Sequence, residues 1–128
     1  MELQDQLRAA TNEDQLSCAL AHKLAREWGV MPEALGAAAK EAGIGIIRCQ
    51  MGLFGFGPKG TPSYRVVQPA DHVPEALSLE VQSALINGRL PCRVAWKLGQ
   101  QHGLAYRRMG DVLDALKIKV KPCQLGQF

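Results

Sequence analysis

Apolar residues return at three- and four-residue steps through Cys18, Ala21, Leu24, Ala25 and Trp28, which sets them along one face of a helix. Gly29 follows and predicts the end of that helix. A second helix is predicted from Pro32, a residue favoured in a first turn, through PEALGAAAKEA to a stop at Gly43. The next run, Ile44 to Cys49, is rich in Ile and predicts a strand. It leads through GLFGFGPKGTPS, dense in Gly and Pro, to SYRVV, so the segment reads as strand, loop, strand. Further on, Pro91 marks the start of another helix, Gly103 its end, and Ile118 to Val120 a further short strand.

These patterns repeat because the chain contains one unit written twice. Leu16 to Phe54 aligns with Leu90 to Phe128 at a constant offset of 74, without a gap, and 12 of the 39 positions are identical. Among the identities are Cys18 with Cys92, Gly29 with Gly103, Gly36 with Gly110 and Cys49 with Cys123. Several unlike pairs stay apolar, such as Val30 with Leu104 and Met51 with Leu125, as core substitutions do. Upstream, Leu3, Leu7 and Ala10 fall at the same offset from Leu77, Val81 and Ala84, which adds an amphipathic helix to each copy. The chain divides into a first unit at 1–54, a Gly/Pro-rich wing and linker at 55–74, and a second unit at 75–128.

Two helices joined through a glycine, with a small residue where they cross and apolar residues locking the second, make a helix-turn-helix. Leu24, Ala25, Trp28, Gly29, Val30, Leu35 and Ala38 supply that order in the first copy. Leu98, Gly99, His102, Gly103, Leu104, Met109 and Val112 supply it in the second, with His102 the weakest fit. Over about 20 residues per copy the chain resembles the helix-turn-helix superfamily of DNA-binding proteins. The strand, loop and strand after the first copy resemble a winged helix, whereas the second copy reaches Phe128 before a returning strand, so its wing is expected to be missing or completed by another segment. The expected fold is mainly α with short β elements: two tandem helix-turn-helix units, the first winged-helix-like. Function is expected to be DNA binding, compatible with transcription regulation, since the resemblance lays the second helix of such a unit in the major groove.

Composition sharpens this. Apolar residues form 47 % of the chain and charged ones 21 %, a globular balance, while aromatics at 5 % leave the core to Leu, Ile, Val, Ala and Met. No apolar run reaches signal-peptide or membrane-spanning length, so a cytoplasmic protein without membrane contact is expected. Net charge is +3, but residues 89–128 carry eight bases against two acids, the footprint of a polyanion binder. There Tyr106, Arg107 and Arg108 open the candidate recognition helix, and Lys97, Lys117, Lys119 and Lys121 are candidate phosphate contacts. The same bases also serve a plain solvated face. The corresponding helix of the first copy presents Met31, Glu33, Ala34, Ala37 and Lys40, which suits packing, a protein partner or a homodimer better than DNA. If the first copy does touch DNA, the loop bases Lys59 and Arg65 are its better candidates.

Cys18, Cys49, Cys92 and Cys123 keep a 31-residue spacing in both copies. Two thiols per unit fall short of four zinc ligands and form no C-x-x-C knuckle, so buried structural thiols are the leading reading, with a metal or redox role the alternative. The Gly-rich loop lacks the order of a P-loop, and neither a nucleophile with its base nor H-E-x-x-H is present. A non-enzyme without a cofactor is expected. The alternatives to DNA binding are a protein-interaction or assembly module and a metal- or thiol-responsive accessory protein.

Overall fold

The computed structural model describes residues 2–11, 14–58 and 60–127. It is mainly helical, with a short two-stranded sheet. Helix α1 (Leu3–Ala10) buries Leu7, and β1 (Gln15–Ser17) buries Leu16. Ser17 then caps α2 (Cys18–Trp28), its hydroxyl accepting from Leu20 N at 3.1 Å. The predicted face turns inward: Cys18, Ala21, His22, Leu24 and Ala25 are buried. At Gly29 the backbone takes φ 66°, which lets Val30 N reach back to Ala25 O at 3.0 Å and closes the helix. Three residues on, Pro32 opens α3 (Pro32–Glu41).

The second copy repeats this closure bond for bond. After α4 (Glu75–Ala84), helix α5 (Cys92–Gln101) ends where Leu104 N reaches Gly99 O at 2.8 Å, with Gly103 at φ 70°. Helix α6 (Tyr106–Ala115) follows. Both second helices end alike too, with Ile44 N on Ala39 O at 2.8 Å and Ile118 N on Leu113 O at 3.0 Å. Lys117 takes the left-handed conformation that Gly43 takes in the first copy. The copies differ in their leading helices, since α1 packs on α3 whereas α4 packs on α5.

Strand β2 (Gly45–Ile47) pairs in parallel with β1, Leu16 opposite Ile46. The second copy keeps one bridge of that ladder, Leu90 with Val120. The expected partner of β2, Ser63 to Val67, is not a strand: Pro62–Tyr64 forms a 3-10 turn, and the chain runs on without sheet pairing. Its backbone is drawn to other partners, because Val66 N bonds Gly52 O at 2.9 Å and the residues after it lie along α6.

The copies hold each other through two buried helix glycines. A Cβ on Gly36 would fall far inside 3.0 Å of Leu125 O, and one on Gly110 far inside 3.0 Å of Met51 O. Gly36 and Gly110 are repeat equivalents, as are Met51 and Leu125, so the turn after each copy's last strand sits on the other copy's second helix. All four residues belong to the buried interior, Met51 and Leu125 at 1 % exposure each. One core runs through both copies.

Candidate nucleic-acid interface

The residues singled out in α6 meet different fates. Tyr106 is half-buried, its ring stacked on Trp96 at 4.1 Å and 15°, and its hydroxyl accepts from Gln100 Nε2 at 2.9 Å. Its ring and hydroxyl are thereby engaged within the fold. Arg107 donates to Val66 O, faces Asp111 at 3.9 Å and lies across Gly52, where a Cβ would meet its Nε at 2.8 Å. Arg108 is exposed on the adjoining position of the helix.

What engages Arg107 is the segment after the Gly-rich loop. Residues 65–70 run along α6 as a strap. Gln68 N donates to Asp111 Oδ1 at 3.0 Å, Ala70 N donates to Asp111 O at 3.1 Å, and Arg65 pairs with Asp114 at 3.6 Å. Asp111 thus holds the strap by its side chain and its carbonyl together. The stripe of α6 that contains Arg107, Asp111 and Asp114 is therefore occupied by the chain itself. Arg65 retains 54 % side-chain exposure despite its ion pair; Lys59 lies outside the described residues.

Among the described residues, no side-chain hydrogen bond or ion pair ties down the lysines. Lys97 is exposed on α5. Lys117, Lys119 and Lys121 are all exposed, while Ile118 between them is half-buried and Val120 is 7 % exposed. Two backbone bonds fix this alternation, Leu90 N to Lys119 O at 3.0 Å and Lys121 N to Leu90 O at 2.9 Å. Successive side chains of an extended run point to opposite sides, so Lys119 and Lys121 share a side with their Cα atoms about 6–7 Å apart, while Lys117 precedes that run in a left-handed turn. In the first copy, Met31, the residue before α3, and Glu33, Ala34, Ala37 and Lys40 within it are exposed.

All four cysteines are buried free thiols. Burial pushes Cys18 up to about 11 against hydrogen bonding from Gln50, and Cys92 up to about 12 against hydrogen bonding from Gln124. Cys49 is raised by burial as well, against the backbone N–H groups of the turn that follows it. Leu125 N points at Cys123 Sγ at 3.4 Å. Among the described residues no three Cys, His, Asp or Glu side chains converge as metal ligands. Raised thiols are neutral near pH 7 and poor nucleophiles.

Two structural features escape a reading of residue types. The strap's anchor, Asp111, looks like one more polar residue on a recognition helix. The helix-on-turn packing is betrayed only by glycine persisting inside both second helices, where it costs about 0.5–1 kcal/mol relative to alanine and so implies a close approach. Among the described residues no helix is long and apolar enough to cross a membrane. Compared with known proteins, the chain matches no protein-family model, no curated protein and no solved structure.

Proposed function

We propose that the chain is a DNA-binding protein, not an enzyme, that grips the phosphate backbone with Lys117, Lys119 and Lys121, assisted by Arg108 and Lys97. The observation that carries this reading is the end of the second copy, where two backbone bonds fix Lys119 and Lys121 on the outer side of Val120 and Lys117 is exposed in the turn before them. Cations on an already ordered backbone neutralise phosphates without a further cost of ordering that backbone, and they do so without regard to sequence. Arg107 and Tyr106 serve in this reading as braces for α6, and Arg108 is the residue of that helix left to meet a base edge or a phosphate. The sequence resemblance of residues 98–112 to a helix-turn-helix supports the same assignment.

The test is fluorescence anisotropy of the protein on a random-sequence duplex of about 30 bp over a salt series. Micromolar binding that weakens steeply with salt is expected, and replacing all three lysines by Gln should lower the log–log salt slope by about 2–3. Absence of binding at low salt would overturn the proposal. An interaction module is the second reading, favoured by the outward face of α3, where Met31 is 67 % exposed among small residues.

A further inference from the structure

The strap and the lysine edge also frame a cleft. A cavity of about 300 Å³ opens between the segment that follows the first copy and the last extended run of the second. Leu53, Phe54 and Tyr64 wall one side and Ile118 the other, while Arg65 and Lys119 stand at the polar part of the lining. An adjoining cavity of about 260 Å³ shares Arg65, Ile118 and Lys119 and adds Lys117. The two together form a trough that is apolar along its walls and cationic at one side.

The balance of charge in this trough is lopsided. Among the described residues no acid lines the first cavity, and one lines the second, Asp114, already paired with Arg65 at 3.6 Å. Lys117 and Lys119 form no ion pair among the described residues and are exposed. Apolar walls do not retain a hydrated inorganic anion, and cations beside them disfavour a neutral hydrocarbon less than they favour an anion with an apolar body. Tyr64, half-buried, offers an aromatic face to such a body.

We infer that this cleft is a binding site for a small organic anion with an aromatic-sized apolar body, a carboxylate or sulfonate, whose charge meets Arg65 and Lys119 while the body lies between Tyr64, Leu53 and Ile118. Because its two walls come from different copies, an occupant bridges them and adds to the hold of the strap on α6. The site stands without the DNA reading, with which it shares Lys119 and, in the adjoining cavity, Lys117.

The full chain titrated with 8-anilinonaphthalene-1-sulfonate, an aromatic anion that brightens in apolar surroundings, provides the test. One saturable site per chain is expected, with affinity about 5–10-fold weaker in Arg65→Gln and in Lys119→Gln, each of which removes a charged partner. Tyr64→Ala should weaken it comparably and Tyr64→Phe should restore it, because the ring and not the hydroxyl forms the wall. Lys121→Gln, outside the cleft, should weaken duplex binding and leave the dye unaffected, which separates failure of this site from failure of the DNA reading. Dye binding that is unsaturable, that ignores Arg65, Lys119 and Tyr64, or that Lys121→Gln or inorganic phosphate abolishes equally would overturn the inference.

Discussion

His22 of α2 and Trp96 of α5 occupy the same position of the repeat and touch each other, ring centroids 4.6 Å apart at 48°. Residues related by a two-fold can meet their own equivalents only near the axis that relates them. The pair therefore marks that axis, and the stack extends from it through Trp96 to Tyr106 at 4.1 Å. An imidazole stands in the first copy where an indole stands in the second, so the axis carries a titratable group on one side only.

That group gives a pH dependence. Burial holds the His22 pKa below its ordinary 6.5, with Arg26 adding to the effect and Glu33 opposing it. The unfolded chain takes up a proton as pH falls through 6.5 while the folded one resists, so the His22 contribution is complete above that pH and is lost below it. Urea midpoints should fall from about pH 7.5 to about 5, and His22→Phe should flatten that part of the profile. An unchanged slope in the variant would place the loss elsewhere.

Alanine at Gly36 or Gly110 should destabilise by about 3 kcal/mol, since the added methyl meets a backbone carbonyl that cannot move without shifting the facing turn. The sign is informative: inside an unobstructed helix the same change would stabilise by about 0.5–1 kcal/mol. Gly45→Ala, exposed and with no close neighbour, should stay near neutral. Equilibrium urea unfolding of the three variants checks the contrast.

At alkaline pH the thiols take over. Unfolded cysteines ionise near 9.0, whereas folded Cys18 and Cys92 keep their protons to about 11 and about 12. Their contribution is present below 9.0 and declines as pH rises through that window, by up to about 1.4 kcal/mol per pH unit for each thiol. Cys92→Ala should shallow the decline in urea midpoint, and iodoacetamide should label the native thiols far more slowly than those of the unfolded chain.

Arg107 and Arg108 should separate by readout. Arg107→Ala removes the guanidinium that holds Val66 O, and Asp111→Ala leaves Gln68 N without its acceptor, so each should speed proteolysis within 65–70 and cost about 1–2 kcal/mol. Arg108→Ala should leave stability within about 0.5 kcal/mol and weaken duplex binding. The reverse pattern would return Arg107 to the DNA surface.

The helices were legible because their rules are local. Pro32, Gly29 and Gly103 act on their own neighbours, and the inward faces of α2 and α5 follow from three- and four-residue spacing. The offset of 74 was equally plain, since an inward position tolerates few substitutions. What stayed hidden depends on partners far along the chain. SYRVV has the composition of a strand, yet its backbone bonds go to Gly52 and to α6, and β2 takes β1 as a parallel partner instead. Within the candidate site the exposed lysines could be read from alternation with Ile118 and Val120, whereas nothing adjacent in sequence tells that Arg107 is held by Val66, 41 residues earlier.

The reciprocal seating of Met51 on Gly110 and Leu125 on Gly36 has a consequence for ancestry. A lone copy of this unit would carry a turn with no helix to cover and a glycine notch with nothing to fill it. Such a unit completes itself only by meeting a twin, in an association whose strength depends on concentration. Joining the twins in one chain makes that meeting intramolecular and independent of dilution. It also releases the halves from being identical, and they differ in charge: residues 89–128 carry eight bases against two acids, residues 16–54 four against three.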